Sequence, residues 1–463
     1  MKKVKYIHTL PFQSQKSFLN VEKNPDLAYN YLYKEVNMLL EFEFTNWKSF
    51  KEENYITSLS SREEQHSDRR AYIPKFDMNV LAAMGIFGGN ASGKSNLIDA
   101  LSFLKNLVVN HPTMESSIPV RKYFLDSDSL QGTAKFYLKM LIDEYIYHFH
   151  IELDEKRVLH EKLEFENSSR TILLYERIDD DITLGKKYQG NSTLSVIANG
   201  TRANRLFISN TIDQKCEEFR NVYNWFEDLR ILTPNSFIRQ DELDIGEYID
   251  ALNEFLPSLD TGIVEVFPKE IDLNKSRVPK DIVDQVLENI DSEGYSSAII
   301  SGSNGDVLIL EKKDEYGIKA YELSTKHRTK NGEKEFDLKM ESMGTLRSID
   351  LIPLFFELTK KSTVVIIDEI DRSLHTEMTR GLIEYFLNHY TKDSRSQLIF
   401  TSHDTNLLTQ EIFRRDELWI VERNKYNESN VVSIGDYKDV KTNHNLESLY
   451  LQGRLGGIPS INI

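Results

Sequence analysis

Eight consecutive residues, Gly88-Gly89-Asn90-Ala91-Ser92-Gly93-Lys94-Ser95, follow the pattern G-x-x-x-x-G-K-[ST]. Glycines at both ends let backbone N–H groups close around phosphate oxygens, and a helix that opens at the lysine adds positive potential. The chemistry this implies is nucleoside triphosphate binding. The loop and Asn96 wrap the phosphates, Lys94 contacts the β- and γ-phosphates, and Ser95 ligates Mg²⁺. The setting supports it: Val80 to Phe87 is a nearly continuous apolar run that reads as a buried strand, and Asn96 to Leu101 reads as the start of a helix.

A second chemical pattern lies far downstream. Thr363-Val364-Val365-Ile366-Ile367-Asp368-Glu369 is an apolar strand that ends in two acids. Asp368 is placed to reach the magnesium shell and Glu369 to take a proton from water as general base. Between the two patterns stands Glu341-Ser342-Met343-Gly344-Thr345, directly before an apolar helix; taken alone, Ser-x-Gly is a loop and helix cap. Gln397 to Thr401 reads as the next strand, and His403 at its end stands where a γ-phosphate sensor would sit.

The elements that must position these residues belong to a globular chain. It has 463 residues, 40% of them hydrophobic, with 24 Phe and 22 Tyr. The net charge of −16 has the wrong sign for a generic phosphate-backbone binder. The one cysteine, Cys216, excludes an intramolecular disulfide and a cysteine-based zinc site, which fits a reducing cytoplasm and puts any metal on oxygen ligands. No apolar run approaches the roughly 20 residues that span a bilayer.

Met38 to Phe44 alternates as a strand and reads as the opening of the fold, so residues 1–37 are expected to be a detachable extension. Lys34-Glu35-Val36-Asn37-Met38 is encodable as a ribosome-binding sequence ahead of a start codon, which makes Met38 a rival start to Met1. Alternation between Thr133 and Leu163 predicts antiparallel strands, while Asn210 to Leu229 and Glu242 to Phe255 read as helices. From residue 336 onward, helices alternate with strands at Thr363–Ile367, Gln397–Thr401 and Leu418–Val421, the mark of a parallel sheet. His148 and His150 share a strand face that could bind metal but reads rather as solvated, Asp179 to Asp181 reads as a solvated turn, and Lys326 to Lys334 as a surface loop.

Asn46-Trp47-Lys48-Ser49-Phe50, the loop with Asn90 and Ser92, Glu341 to Thr345, the Asp368-Glu369 pair and Thr401-Ser402-His403-Asp404 together resemble the SMC/RecF/OLD-like branch of ABC-class ATPases. Arg414-Arg415-Asp416-Glu417-Leu418-Trp419 and Gly453 to Pro459 further resemble the ATPase subunits of two-gene phage-defence systems such as AbiL and PARIS. The resemblance runs from Met38 to the C-terminus, with the middle third matched loosely. It implies an α/β fold: an ABC-type P-loop ATPase head with a mixed central sheet, an antiparallel β-subdomain and a mainly helical insertion. The expected division is a P-loop lobe with the β-subdomain at 38–165, the helical insertion at 166–335, and a lobe with signature, acids and switch histidine at 336–463.

The resemblance also implies ATP and Mg²⁺ as ligands, with catalytic Lys94, Glu369 and His403 and with Mg²⁺ on Ser95 and Asp368. Assembly would be head to head, Ser342 and Gly344 of one chain capping the nucleotide on Lys94 of another, and Asp371 to His375 would carry a dimer contact. The signature departs from the transporter-type Leu-Ser-Gly-Gly-Gln, and no glutamine is assigned to the loop after the P-loop lobe. About sixty residues follow His403, too few for a fused TOPRIM nuclease. The expected role is therefore an oligomeric cytoplasmic sensor that controls a separate effector encoded nearby, with a phage trigger and no membrane partner. The rivals are a RecF/SMC-like repair ATPase that binds DNA with ATP and, more remotely, a transporter motor.

Overall fold

The structure, a computed structural model, describes residues 36–457 apart from 111–115, 235–237, 242–244, 260, 294–296, 303–305 and 314–316. Most of the proposed extension thus lies outside the described residues. Strand β1 (Asn37–Thr45) begins one residue before Met38, and β2 (Asn54–Thr57) returns alongside it. The hairpin β3 (Arg70–Ile73) and β4 (Met78–Leu81) precedes β5 (Ala83–Phe87), whose five residues are all buried, and β5 runs through the P-loop into helix α1 (Lys94–Val109). The apolar run from Val80 is therefore two strands in different sheets, broken at Ala82.

The short α2 (Ser127–Gln131) leads to a meander of β6 (Ala134–Ile142), β7 (Tyr145–Leu153), β8 (Val158–Asn167), β9 (Arg170–Ile178) and β10 (Asp181–Leu184). Helices α3 (Ser192–Asn199), α4 (Phe207–Asp213) and α5 (Arg220–Asp228) follow, then β11 (Arg230–Leu232), β12 (Ile238–Asp241), α6 (Ile245–Phe255), β13 (Ile263–Ile271) and α7 (Lys280–Glu293). Four more strands come next: β14 (Ser297–Gly302), β15 (Asp306–Lys313), β16 (Gly317–Thr329) and β17 (Gly332–Asp337). The chain ends with α8 (Met343–Lys360), β18 (Val364–Ile367), α9 (Thr376–His389), β19 (Gln397–Ser402), β20 (Leu418–Arg423), β21 (Ser429–Ser433) and α10 (Leu446–Leu451).

Three large sheets result. The central one has the order β11-β18-β19-β5-β20-β21, with its first five strands parallel and β21 antiparallel. It is mixed, as expected. Successive residues of its strands feed opposite cores: Val365, Ile367, Leu398 and Phe400 join one cluster, Val364, Ile366 and Ile399 the other. A sheet buried on both faces must read as unbroken apolar runs, and these do. Helices α8 and α9 cover the first face and α1 the second. Beyond α1 lies the seven-stranded antiparallel sheet β10-β9-β8-β7-β6-β1-β2.

The expectation of a mainly helical insertion over 166–335 is corrected. The antiparallel sheet continues through β9 and β10 to Leu184, and β12 to β17 build a third sheet with α7 packed on its own small core. Short apolar runs such as Ala298 to Ile300 cannot be told from helix by periodicity alone. Lys326 to Lys334 is likewise not a loop but the β16–β17 hairpin, where Lys326 faces Glu335 and Arg328 faces Glu333 across the strands. The expected helix from Asn210 to Leu229 is two helices, because Lys215 adopts a left-handed φ of 57° that ends α4. The expected helix from Glu242 starts at Ile245, with 242–244 outside the described residues.

The expected turn at Asp179 is present, with φ 53° between β9 and β10. His148 is engaged at both ring nitrogens, by the Tyr137 hydroxyl at 2.8 Å and Glu166 at 3.1 Å. Burial lowers His150 to about 4. No group of three metal-ligating side chains is found among the described residues, and none of their helices is long and apolar enough to cross a membrane.

One buried side chain joins the two principal sheets. Register slips between Leu39 and Glu41 of β1, and there the Gln397 side chain accepts from Leu39 N at 2.7 Å and donates to Leu39 O at 3.0 Å and Leu81 O at 3.3 Å. Gln397→Leu removes these partners while keeping the volume, leaving buried backbone groups unpaired. It should destabilise the chain by about 2–4 kcal/mol in urea unfolding.

Candidate functional site

The P-loop closes under strict steric limits. Gly88 has φ +152°, and a Cβ there would lie 2.2 Å from Val421 O; Gly93 has φ +120°, and a Cβ would lie 2.6 Å from Ser429 Oγ. Both positions require glycine. Lys94, only 4% exposed, folds its ammonium back onto the loop and donates to Gly88 O at 2.8 Å and Gly89 O at 3.2 Å. Burial lowers it to about 8, against the opposing pull of Asp368, Asp371 and Glu369.

Strands β18 and β19 bring the acids and the histidine to the same place, because both run parallel to β5 and end at its carboxyl edge. His403 Nδ1 lies 3.3 Å from Lys94 Nζ. Burial, then the Lys94 charge, lower the His403 pKa, so the neutral ring is favoured and can accept from the ammonium.

A single hydroxyl sets both acids. Thr401 Oγ1 donates to Asp368 Oδ1 at 2.6 Å and accepts from Glu369 N at 2.7 Å. Glu369 sits at φ 55°, a strained conformation for this residue, and its side chain faces the cleft. Thr401 has a positioning part that the sequence reading did not assign; its only signal was its place opposite the acids on a neighbouring strand.

The cleft encloses about 1010 Å³ and is lined by Asn90, Ala91, Ser92, Gly93, Lys94, Ser95 and Asn96, with Glu369 and His403 opposite. The sequence also missed part of the lining: Lys48 and Ser49, the segment Arg121 to Leu125, and Arg423 with Asn427. These come from loops without periodicity, which only the fold gathers. The site fits a phosphate chain. Ser92 Oγ is buried without a hydrogen-bond partner, Ser95 is exposed beside the buried Lys94, and Asp368, buried and fixed by Thr401, adds its charge near Lys94 without itself lining the cleft. Lys94 and the loop amides would hold the phosphates, and Ser95 with Asp368 would hold Mg²⁺, which would supply charge neutralisation. Asn96 has a structural share too, its amide donating to Ser49 Oγ at 2.8 Å.

Ser342 and Gly344 do not line this cleft. Ser342 caps α8 by accepting from Thr345 N at 3.2 Å, which is the cap reading of the motif. Gly344 packs so close to the turn after the acids that a Cβ would meet Ser373 O at 2.8 Å. Asp371 to His375 thus lies against the start of α8 within one chain. The Arg414 to Trp419 motif is a clasp: Arg414, fully buried, pairs with Asp416 and donates to the carbonyls of Glu63 and Gln65. At the other end of the chain, Gly457 O accepts from Gly89 N at 2.8 Å and from the Tyr450 hydroxyl at 3.0 Å, so the closing glycine turn backs the P-loop.

A glycine loop between a buried parallel strand and its helix, with two acids at the end of the next strand but one in the same sheet, defines a P-loop nucleotide-binding head. The chain belongs to the family described as AAA domain, putative AbiEii toxin, Type IV TA system, whose model matches residues 83–409. Among solved structures it is similar to the SMC head domain from Thermotoga maritima at 14% identity and TM-score 0.34, covering 85% of this chain and 98% of that one. It is also similar to an Smc head domain with an extended coiled coil bound to the C-terminal domain of ScpA, derived from Pyrococcus furiosus, at 11% identity and TM-score 0.34, covering 86% and 96%. No curated protein matches the chain.

Two outcomes follow from this geometry. Thr401→Val keeps the shape but frees the Asp368 carboxylate and the Glu369 backbone N–H, and is expected to cut ATP turnover by roughly 10–100-fold in a phosphate-release assay with folding retained. Because an anion favours the charged ammonium, a lysine at about 8 in the free protein should take up a proton when nucleotide binds above that pH. Affinity should therefore fall as pH rises from 7.5 to 9.5, with proton uptake measurable by calorimetry in buffers of different ionisation enthalpy.

Proposed function

We propose that this protein is an ATP-hydrolysing sensor and scaffold of a bacterial anti-phage defence system, which assembles through paired heads and controls a separate effector protein. The observation that carries the reading is the division of the expected site: Lys94, Glu369 and His403 share one cleft, while Ser342 is exposed outside it. Met340 and Met343, 63% and 51% exposed, flank Ser342 with apolar surface of the kind an interface covers. A second copy that laid its α8 N-terminus over the cleft would bury both methionines and complete the phosphate cage.

In this reading Lys94 and Ser92 hold the phosphates, and Ser95 and Asp368 hold the metal. Glu369 accepts a proton from water as its oxygen bonds the terminal phosphorus, ADP leaves, and His403 hydrogen-bonds the transferred group. Phosphate loss removes the ligand between the heads and releases them. The family description, with its AbiEii-type toxin and type IV toxin–antitoxin context, supports a defence role. A nuclease such as a TOPRIM protein is the effector class proposed. The buried Cys216, which is in no disulfide, agrees with a cytoplasmic setting.

Three variants test the mechanism. Lys94→Ala should abolish nucleotide binding, whereas Glu369→Gln should bind ATP, fail to turn it over and accumulate dimers or larger species in light scattering. Normal hydrolysis by Glu369→Gln would exclude the general-base role. Ser342→Arg and Lys94→Ala, each inactive alone, should recover turnover on mixing, since each heterodimer holds one intact shared site; no recovery would exclude capping between chains.

A further inference from the structure

The far wall of the cleft is a strap of chain from Arg121 to Leu125 that belongs to no helix or strand. It is nevertheless pinned over its first three residues. Lys48 N donates to Arg121 O at 2.7 Å, Tyr123 N donates to Asn46 Oδ1 at 3.0 Å, and the Tyr123 hydroxyl donates to Tyr426 O at 3.3 Å. Lys122 Nζ donates to Gly132 O at 3.0 Å and pairs with Glu155 at 3.1 Å. Asn46 also donates to Ser129 O and Thr133 O, which fixes the chain just after the strap.

The same turn reaches the P-loop helix from its other side. Trp47 Nε1 donates to Asn96 O at 2.9 Å, and Asn96 Nδ2 donates to Ser49 Oγ. The strap therefore stands one turn, Asn46 to Ser49, away from the first turn of α1, on the rim of the phosphate cradle.

Within this rigid strap Lys122 and Tyr123 are buried, yet Phe124 and Leu125 are 67% and 52% exposed. Among the described residues Phe124 is the one exposed phenylalanine. A large ring held in water next to a pinned stretch of backbone, inside a cleft whose other end takes phosphates, offers its face to a flat, partly apolar group attached to those phosphates. The cleft volume, about 1010 Å³, is at the upper end of small-molecule sites and leaves room for more than a phosphate chain.

We propose that Phe124, with Leu125 beside it, is the platform on which the nucleobase stacks. The inference rests on the nucleotide reading of the site and deepens it, since it names how the base is recognised. Several polar groups near the platform are already engaged: the Tyr123 hydroxyl with Tyr426, Lys122 with Glu155, Lys48 with Asp99, and Asn427 Oδ1 with Arg423. Recognition is led by the face of the ring system, which both purines share, so adenine and guanine are held with similar affinity.

Calorimetric titration of the full chain with ADP, GDP and inorganic pyrophosphate tests this. Wild type should bind ADP and GDP with similar affinity. Phe124→Ala should weaken both by about tenfold or more while leaving pyrophosphate unchanged, and Phe124→Trp should restore them. Equal loss for ADP and pyrophosphate, no loss for either, or a defect confined to self-association would each overturn the platform. A wild-type chain that binds pyrophosphate but gains nothing from the nucleoside would do so too, with the phosphate site intact. A wild type that binds none of the three would overturn the nucleotide reading itself, and this inference with it.

Discussion

A lysine ammonium held almost out of water is the constraint around which this head is built. Lys94 loses its hydration when the P-loop closes, and the loop returns two carbonyls, of Gly88 and Gly89, joined by the His403 nitrogen from the end of β19. Burial at this depth favours the neutral amine; three carboxylates in the turn after β18 favour the charge. The site is poised between these tendencies, and an anion arriving in the loop would resolve the balance. The glycines, the parallel strand order and the polar edge of β18 and β19 all serve to hold that ammonium in reach of phosphate.

The carboxyl edge of the central sheet supplies that polarity because parallel strands end together. Asp368, Thr401 and His403 come from sequence positions spread over 36 residues, yet two adjacent strands place them side by side. One threonine hydroxyl, both donor and acceptor, orients one acid side chain and the backbone of the next. Such sharing makes the pair a unit: a shift in β19 moves both acids. The strained Glu369 backbone belongs to the same device, since its N–H is one of the two bonds on that hydroxyl.

Contacts outside the cleft tie its parts to the rest of the head. The Asn46 to Ser49 turn bonds both the start of α1 and the strap at Arg121 to Tyr123, and the glycine turn at Gly457 bonds the P-loop from behind. Glu341, directly before the α8 cap, accepts from Thr325 and His327 of β16, so the third sheet is bonded to the signature segment. Motion of that sheet would therefore be felt at Ser342.

The chemistry of the site was legible from the residues. The glycine spacing with Lys94, the apolar strand before Asp368-Glu369, and the regular alternation of helix and strand after residue 336 each depend on local rules, namely φ freedom, burial on both faces and strand length. What only the tertiary structure decided depends on contacts between distant residues. Charged β-hairpins such as β16–β17 conceal their strand character because their partners, Glu333 and Glu335, balance charge only once paired. The helix break at Lys215, the Gln397 clamp, the part played by Thr401 and the strap that carries Phe124 have no periodic signal, since each is defined by a partner elsewhere in the chain. Sequence determined which groups could bind phosphate and activate water; the fold decided which of them share a cleft, and left Ser342 outside it.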